Sequence, residues 1–223
     1  SLAIAVYPHA CVSLTVSVFL FKHNLLKFIY NLLVMRLLYF VLGYLALFAF
    51  FAVNPFDRAV WWAENIPVII VVASILISDR YHQYSRFSLF MMAIFIVLHT
   101  IGGHYTFERV PFDWFSDIFG FERNHYDRIS HFSVGFYAYP IAEILNRKKL
   151  VNSAWILYLF PLFSIISIAG IYELLEWQYA LLADPEAGIA VLGSQGDVWD
   201  AQKDIFADTL GAIFALLLYK FRS

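Results

Sequence analysis

Six long apolar runs, separated by short polar or charged segments, restrict this chain to one class of fold. They fall at residues 37–53, 60–78, 87–103, 129–145, 151–177 and 204–219. Most are about 15 to 20 residues long, which suits a helix crossing a hydrocarbon core roughly 30 Å thick. Backbone polar groups in lipid must bond within their own segment, so each run reads as a helix. The composition agrees, with 61% hydrophobic and only 14% charged residues, where soluble domains carry about 25% charge. The expected fold class is all-α, a polytopic helical membrane bundle of about six transmembrane helices.

Local chemistry marks the boundaries. Asn54-Pro55-Phe56-Asp57 ends the first run with turn residues, and Trp61-Trp62 suit an interfacial belt at the start of the second. Two long loops are expected, 104–128 and 178–203, and the aromatic segment 114–121 reads as an interfacial helix. Residues 1–34 read in two ways. The apolar stretch 12–21, followed by Lys22, His23 and Lys27, is either a seventh helix or part of an extension upstream of a natural start at Met35. The expected organisation is therefore 1–34, extension or extra helix, and 35–223, one integral membrane helical domain.

The basic residues give the orientation. Ten of the 15 lysines and arginines collect on one side: Lys22, Lys27, Arg36, Arg80, Arg86, Arg147, Lys148, Lys149, Lys220 and Arg222. Short basic loops stay cytoplasmic, so six spans starting from Met35 put both termini in the cytoplasm. A seventh span would move only the N-terminus outside. A net charge of −2 offers no basic patch to nucleic acid, and the partners expected are membrane lipids. The single cysteine, Cys11, excludes a disulfide framework and a cysteine-based zinc site.

In this topology both long loops lie on the outer side, where the polar residues of four helices converge. His99 and His104 leave the third run, and Asp127 and His131 enter the fourth. Glu173 and Glu176 leave the fifth, and Asp197, Asp200, Asp204 and Asp208 lead into the sixth. Spacings of three and four place each set on one helix face. Asp197 and Asp200 could simply cap a helix N-terminus, and Asp204 and Asp208 could pair with Arg123 or Arg128. His131 could be a hydrogen-bonded core histidine, and Glu176 could sit at the water interface. As a set, however, ionisable residues inside a membrane mark function. Carboxylates and imidazoles from facing helices are also how helical bundles build metal sites. Oxygen and imidazole donors suit zinc, manganese, magnesium or iron, so a divalent metal is the expected cofactor. The sequence holds no H-E-x-x-H, G-x-S-x-G, P-loop or G-x-G-x-x-G motif.

The pattern Asp127-Arg-Ile-Ser-His131-Phe-Ser-Val-Gly135, then Tyr172-Glu173-Leu-Leu-Glu176-Trp177, Gly196-Asp197-Val-Trp-Asp200-Ala-Gln202-Lys-Asp204 and Asp208-Thr-Leu-Gly211 resembles the bacterial YjdF-like inner-membrane proteins. The resemblance runs from about Met35 to the C-terminus. It implies a bacterial inner-membrane location and no settled activity. More loosely, the Asp–His-Phe helix and the final Asp-x-x-x-Asp helix are similar to the VanZ-like family. This chain has Gln195-Gly196 where that family has an arginine.

The residues thus lead to a functional expectation. An enzyme-like site near the outer leaflet, metal-dependent, would act on a lipid or lipid-linked head group. Asp204, Asp208, His131 and Glu173 would be ligands or acid/base groups, and Asp127 would orient His131. Arg128, with Gln202, would bind an anionic head group. A proton-coupled carrier and a purely structural polar cluster are the alternatives.

Overall fold

Helices begin and end where side chains satisfy the free ends of the backbone. The computed structural model describes residues 35–222: α1 (Met35–Phe51), α2 (Arg58–His82), α3 (Arg86–Tyr105), α4 (Asp113–Phe119), α5 (Tyr126–Val134), a 3-10 turn (Gly135–Tyr137), α6 (Ala138–Arg147), α7 (Ala154–Leu182), α8 (Pro185–Leu192) and α9 (Asp200–Arg222). There is no strand among the described residues, as the apolar runs require. Both readings of residues 1–34 lie outside the described residues. The chain divides into two compact units, Ser1–Val41 and Leu42–Ser223, and the helices from Leu42 onward form the second.

Asp57 caps α2 by accepting from the N–H groups of Ala59 and Val60 at 2.7 and 2.8 Å. Ser85 caps α3 through Ser88 N–H at 3.0 Å. Both helices stop on left-handed residues, Gln83 and Thr106, whose N–H groups turn back to Asp79 and Gly102. These four residues set the helix limits a little beyond the apolar runs, because polar residues such as Asp79 and His104 do not break a helix.

The second long loop differs from its expected form. Segment 178–203 is mostly helical: it holds the end of α7, all of α8 and the start of α9. Nothing stops α7 before Asp184-Pro185, a pair that ends one helix and starts the next. Asp184 accepts from Glu186 N–H at 3.0 Å, and Pro185 occupies the first turn, where its missing N–H does no harm.

Among the described residues three helices, α2, α3 and α7, are long and apolar enough to cross a membrane, with mean hydropathies of 2.0, 1.7 and 2.1. The fourth run is α5 and α6 joined through the 3-10 turn into one rod, and this rod lies against α9. The crossing is a backbone contact. A Cβ on Gly135 would sit 2.2 Å from the Ala212 nitrogen, and one on Gly211 would sit 1.8 Å from the Phe132 carbonyl oxygen. Small residues extend the seam, since Ala138, Ala142, Ala212 and Ala215 are fully buried. Helices associate in this way in lipid, where apolar side chains alone give no preference for a partner. Phe136, Tyr139, Ile165 and Leu216 complete the core, while α7 turns Trp155, Phe160, Phe163 and Ile171 outward.

The helices alternate in direction, which gives the bundle two unlike ends. One carries the basic residues. There Arg147 donates to the carbonyls of His82 and Gln83, and the Arg222 guanidinium lies 4.1 Å above the Phe87 ring. The other end gathers the start of α5 and α9, the end of α3 and α7, and the acidic residues.

Candidate functional site

Spacings of four along α9 put Asp200, Asp204 and Asp208 on a single buried stripe, 7%, 3% and 1% exposed respectively. Opposite them α5 presents the adjacent Asp127 and Arg128 and, one turn further on, His131. The two helices are held close by the Gly135–Gly211 crossing just below, so these side chains meet.

The outer layer is ionic. Arg128 donates to both Asp200 and Asp204. Arg123 donates to Asp200 at 2.5 Å and to the carbonyls of Ser194 and Gly193 at 3.1 and 3.3 Å, which fastens the loop before α9 over the site. Asp127 Oδ2 lies 3.6 Å from each arginine. Asp197 stands 3.7 and 3.6 Å from Arg123 and Arg128 and accepts from Lys203 at 2.6 Å. Hydrogen bonds from Lys203 and from the Trp199 N–H hold the Asp197 carboxyl below the usual carboxylate range. Next to this layer, burial and the charges of Arg123, Arg128 and Lys203 lower the proton affinity of His125.

The inner layer is centred on His131. Its Nδ1 is 3.3 Å from Asp208 Oδ2, and its Nε2 is 3.6 Å from Asp127 Oδ1 and 3.7 Å from Asp204 Oδ1. Asp127, His131 and Asp204 each offer a donor atom, all within 4.8 Å of one another. Around them Asp208 Oδ1, Glu173 Oε1 and Ser130 Oγ are buried with no hydrogen-bond partner. Five aspartates (127, 197, 200, 204 and 208) thus share the site with Arg123, Arg128 and Lys203, and carboxyl groups outnumber basic side chains before His131, the partner of Asp208, is counted.

Behind His131 and Asp208 opens a cavity of about 200 Å³. Pro67, Val71, Phe95, Val134, Ile141, Ile165 and Ile168 give it an apolar wall, and its polar residues are Ser130, His131, Asp208, His99 and the tyrosines 137 and 172. A second buried cluster adjoins it. Glu64 on α2 lies 3.1 Å from His99 Nε2 and accepts from the Tyr172 hydroxyl at 3.1 Å. A space of about 10 Å³, room for about one water, lies between this cluster and Asp127, His131 and Glu176.

The structure therefore brings Asp127, Arg128, His131, Asp204, Asp208, Asp197 and Asp200 into one site. Glu173 faces it within reach of the charges on His131, Asp204, Asp127 and Asp208. Glu176 and His99 belong to the adjoining cluster. Two expected residues stand apart. His104 bonds through Nδ1 to the Phe51 carbonyl at 2.8 Å and ties α3 to α1. Gln202 is on the exposed side of α9, because it is two residues from the buried Asp200 and Asp204 stripe. Asp200 is paired and buried rather than a solvated cap, and Glu176 is half-buried and lines the small space beside Glu64. Sequence reasoning missed Glu64, Tyr172 and Ser130. Glu64 carried a usable signal, since it is a carboxylate inside an apolar run.

Residues 36–223 match the family described as "Predicted membrane protein (DUF2238)". The chain is 32% identical over 167 residues to the Inner membrane protein YjdF of Escherichia coli (strain K12), a stretch that is 74% of this chain and 79% of the relative. No solved structure matches. These matches carry the YjdF-like resemblance of the motifs and not the looser VanZ-like one. The helices long enough to span a bilayer, the buried carboxylate–histidine site and the match over residues 36–223 lead to one conclusion: the chain belongs to the DUF2238 family of predicted membrane proteins.

Proposed function

We propose that the protein binds the polar head of a lipid or lipid-linked molecule at the acidic end of its bundle, accommodates the chain in the cavity, and acts on the head group there. The observation that supports this reading is the cavity itself. An apolar space of about 200 Å³ that ends on His131 and Asp208 matches both halves of an amphiphile. Glu173 is the acid/base group of this proposal, because its buried Oε1 lacks the hydrogen-bond partner a substrate could supply. Arg123 and Arg128 would meet an anionic head such as a phosphate, with Asp200 as the carboxylate displaced. The basic end faces the cytoplasm in this reading, with six spans and the site at the outer leaflet of the inner membrane.

The test is retention of lipid by purified protein. Native mass spectrometry should find one amphiphile per wild-type chain. Ala169→Phe, which fills the cavity, should release it without loss of folded yield. An empty wild-type chain, or equal retention by Ala169→Phe, would overturn the reading. Orientation is tested separately with Lys148→Cys. A membrane-impermeant label should leave that thiol untouched in intact cells, and labelling from outside would reverse the topology.

One observation favours a second reading, a proton-coupled carrier. Glu64, His99 and Tyr172 come from three helices and adjoin Asp127 and His131 across room for about one water, as a proton relay would require. Proteoliposomes that dissipate an imposed pH gradient, and a Glu64→Gln variant that does not, would favour it over the head-group site.

A further inference from the structure

We infer that Asp127, His131 and Asp204 form a binding site for one divalent metal cation, and that Asp208 is the positioning residue for the histidine. The inference goes beyond the head-group reading and does not depend on it. The first argument is distance. His131 Nε2 is 3.6 Å from Asp127 Oδ1 and 3.7 Å from Asp204 Oδ1, too long for hydrogen bonds. Donor atoms around a tetrahedral ion with bonds of about 2.0 to 2.2 Å lie roughly 3.4 Å apart. The two histidine–carboxylate separations therefore stand slightly outside the value that a bound ion would impose, and all three donor atoms lie within 4.8 Å of one another.

The second argument is the histidine tautomer. Asp208 Oδ2, 3.3 Å from Nδ1, favours the proton there and turns the Nε2 lone pair towards two carboxylate oxygens. A lone pair and two anions converging in a buried space repel one another unless a cation lies among them. A carboxylate on the far nitrogen is also the usual companion of a metal-bound histidine.

The third argument is poorly compensated charge. Asp208 is 1% exposed, and its Oδ1 has no hydrogen-bond partner. The arginines do not resolve this. Arg128 bonds Asp204 at the same Oδ1 that faces His131, so an ion there would share that oxygen with the guanidinium; both arginines approach Asp127 from its Oδ2 side, which leaves Oδ1 to the histidine, and neither pairs with Asp208. Glu173 adds a further carboxylate beside the cluster. Two carboxylates and one imidazole select a first-row divalent ion such as Zn²⁺ or Mn²⁺.

The competing arrangement is a doubly protonated His131 that serves as the cation for all three aspartates. Elemental analysis separates the two. Detergent-purified full-length protein is dialysed against ZnCl₂ or MnCl₂, then against metal-free buffer. One ion per chain is expected in the wild type and in Glu64→Gln. Asp127→Asn should lose it, and Asp208→Asn should bind about 10- to 100-fold more weakly. Asp208→Asn keeps the side-chain shape, so it tests the inference even if Asp127→Asn fails to fold. No stoichiometric metal in the wild type, or unchanged affinity in Asp208→Asn, would overturn the inference in favour of the imidazolium. Neither result depends on whether a lipid occupies the cavity.

Discussion

The face of α9 that packs on α5 and α6 changes its chemistry halfway along. Its first half presents Asp200, Asp204 and Asp208, and its second half Gly211, Ala212 and Ala215. The second half meets these helices by close backbone approach at Gly211 and by the apolar and aromatic side chains Phe214, Leu216 and Tyr219. The first half meets α5 through an arginine and a histidine. An ion pair buried in this way rarely adds stability beyond what well-packed apolar residues would supply. If small and apolar residues suffice to dock α9, the acidic half is free for a role other than holding the bundle together. That contrast is the physical reason to regard it as a site.

The largest effect should come from breaking the small-residue half. Gly211→Val puts a branched side chain where even a Cβ would lie 1.8 Å from the Phe132 carbonyl oxygen, a backbone atom that cannot step aside. The expected outcome is loss of the folded bundle, seen as aggregation on size exclusion and rapid proteolysis. A monodisperse Gly211→Val protein would mean that the helices can part without consequence.

Arg128→Met should come next. It strands Asp204 in the protein interior and leaves Asp200 to Arg123 alone, at about 3 to 5 kcal/mol in stability. Melting the variant alongside Arg128→Met/Asp200→Asn/Asp204→Asn sharpens the comparison. If the acidic half is dispensable for docking, the triple variant should recover most of the loss, whereas no recovery would make the ionic layer structural.

Asp208→Asn should be milder, about 1 to 3 kcal/mol for a weakened buried hydrogen bond to His131. Its melting curve complements the metal analysis above.

Lys203→Met should have the smallest effect. The Asp197 carboxyl is held low chiefly by its hydrogen bond from Lys203, so its contribution to stability is present at neutral pH and lost as pH falls through its folded value. Removing the lysine should raise that pKa towards its unfolded value and so flatten the small acid dependence that this carboxyl contributes. On so exposed a pair the change in melting temperature at pH 7 should be close to nil.

Much of this architecture is legible in the residues. The apolar runs mark α2, α3 and α7, because length and hydropathy settle a spanning helix without help from tertiary structure. The three aspartates of α9 and the Asp127–His131 pair are legible from helical periodicity. Periodicity also places Gln202 off the aspartate stripe, although its neighbourhood in the motif suggested a binding role. The pairings are different. Which aspartate faces which arginine depends on the rotation of α5 against α9, and that rotation is set by Gly135 and Gly211, 76 positions apart. Glu64 and Tyr172, 108 positions apart, meet only because α2 and α7 flank the same cavity. No local pattern contains such a meeting.

The glycine crossing also fixes a register. Asp208 and Gly211 are three residues apart on one helix, so the site and the seam below it turn together. A single residue inserted between them would rotate the aspartates about 100° relative to the seam. All three would then swing away from His131 and Arg128 while the composition stayed almost the same. The interval 208–211 should therefore tolerate substitution at Thr209 and Leu210, which face outward or are half-buried, and tolerate no change in length.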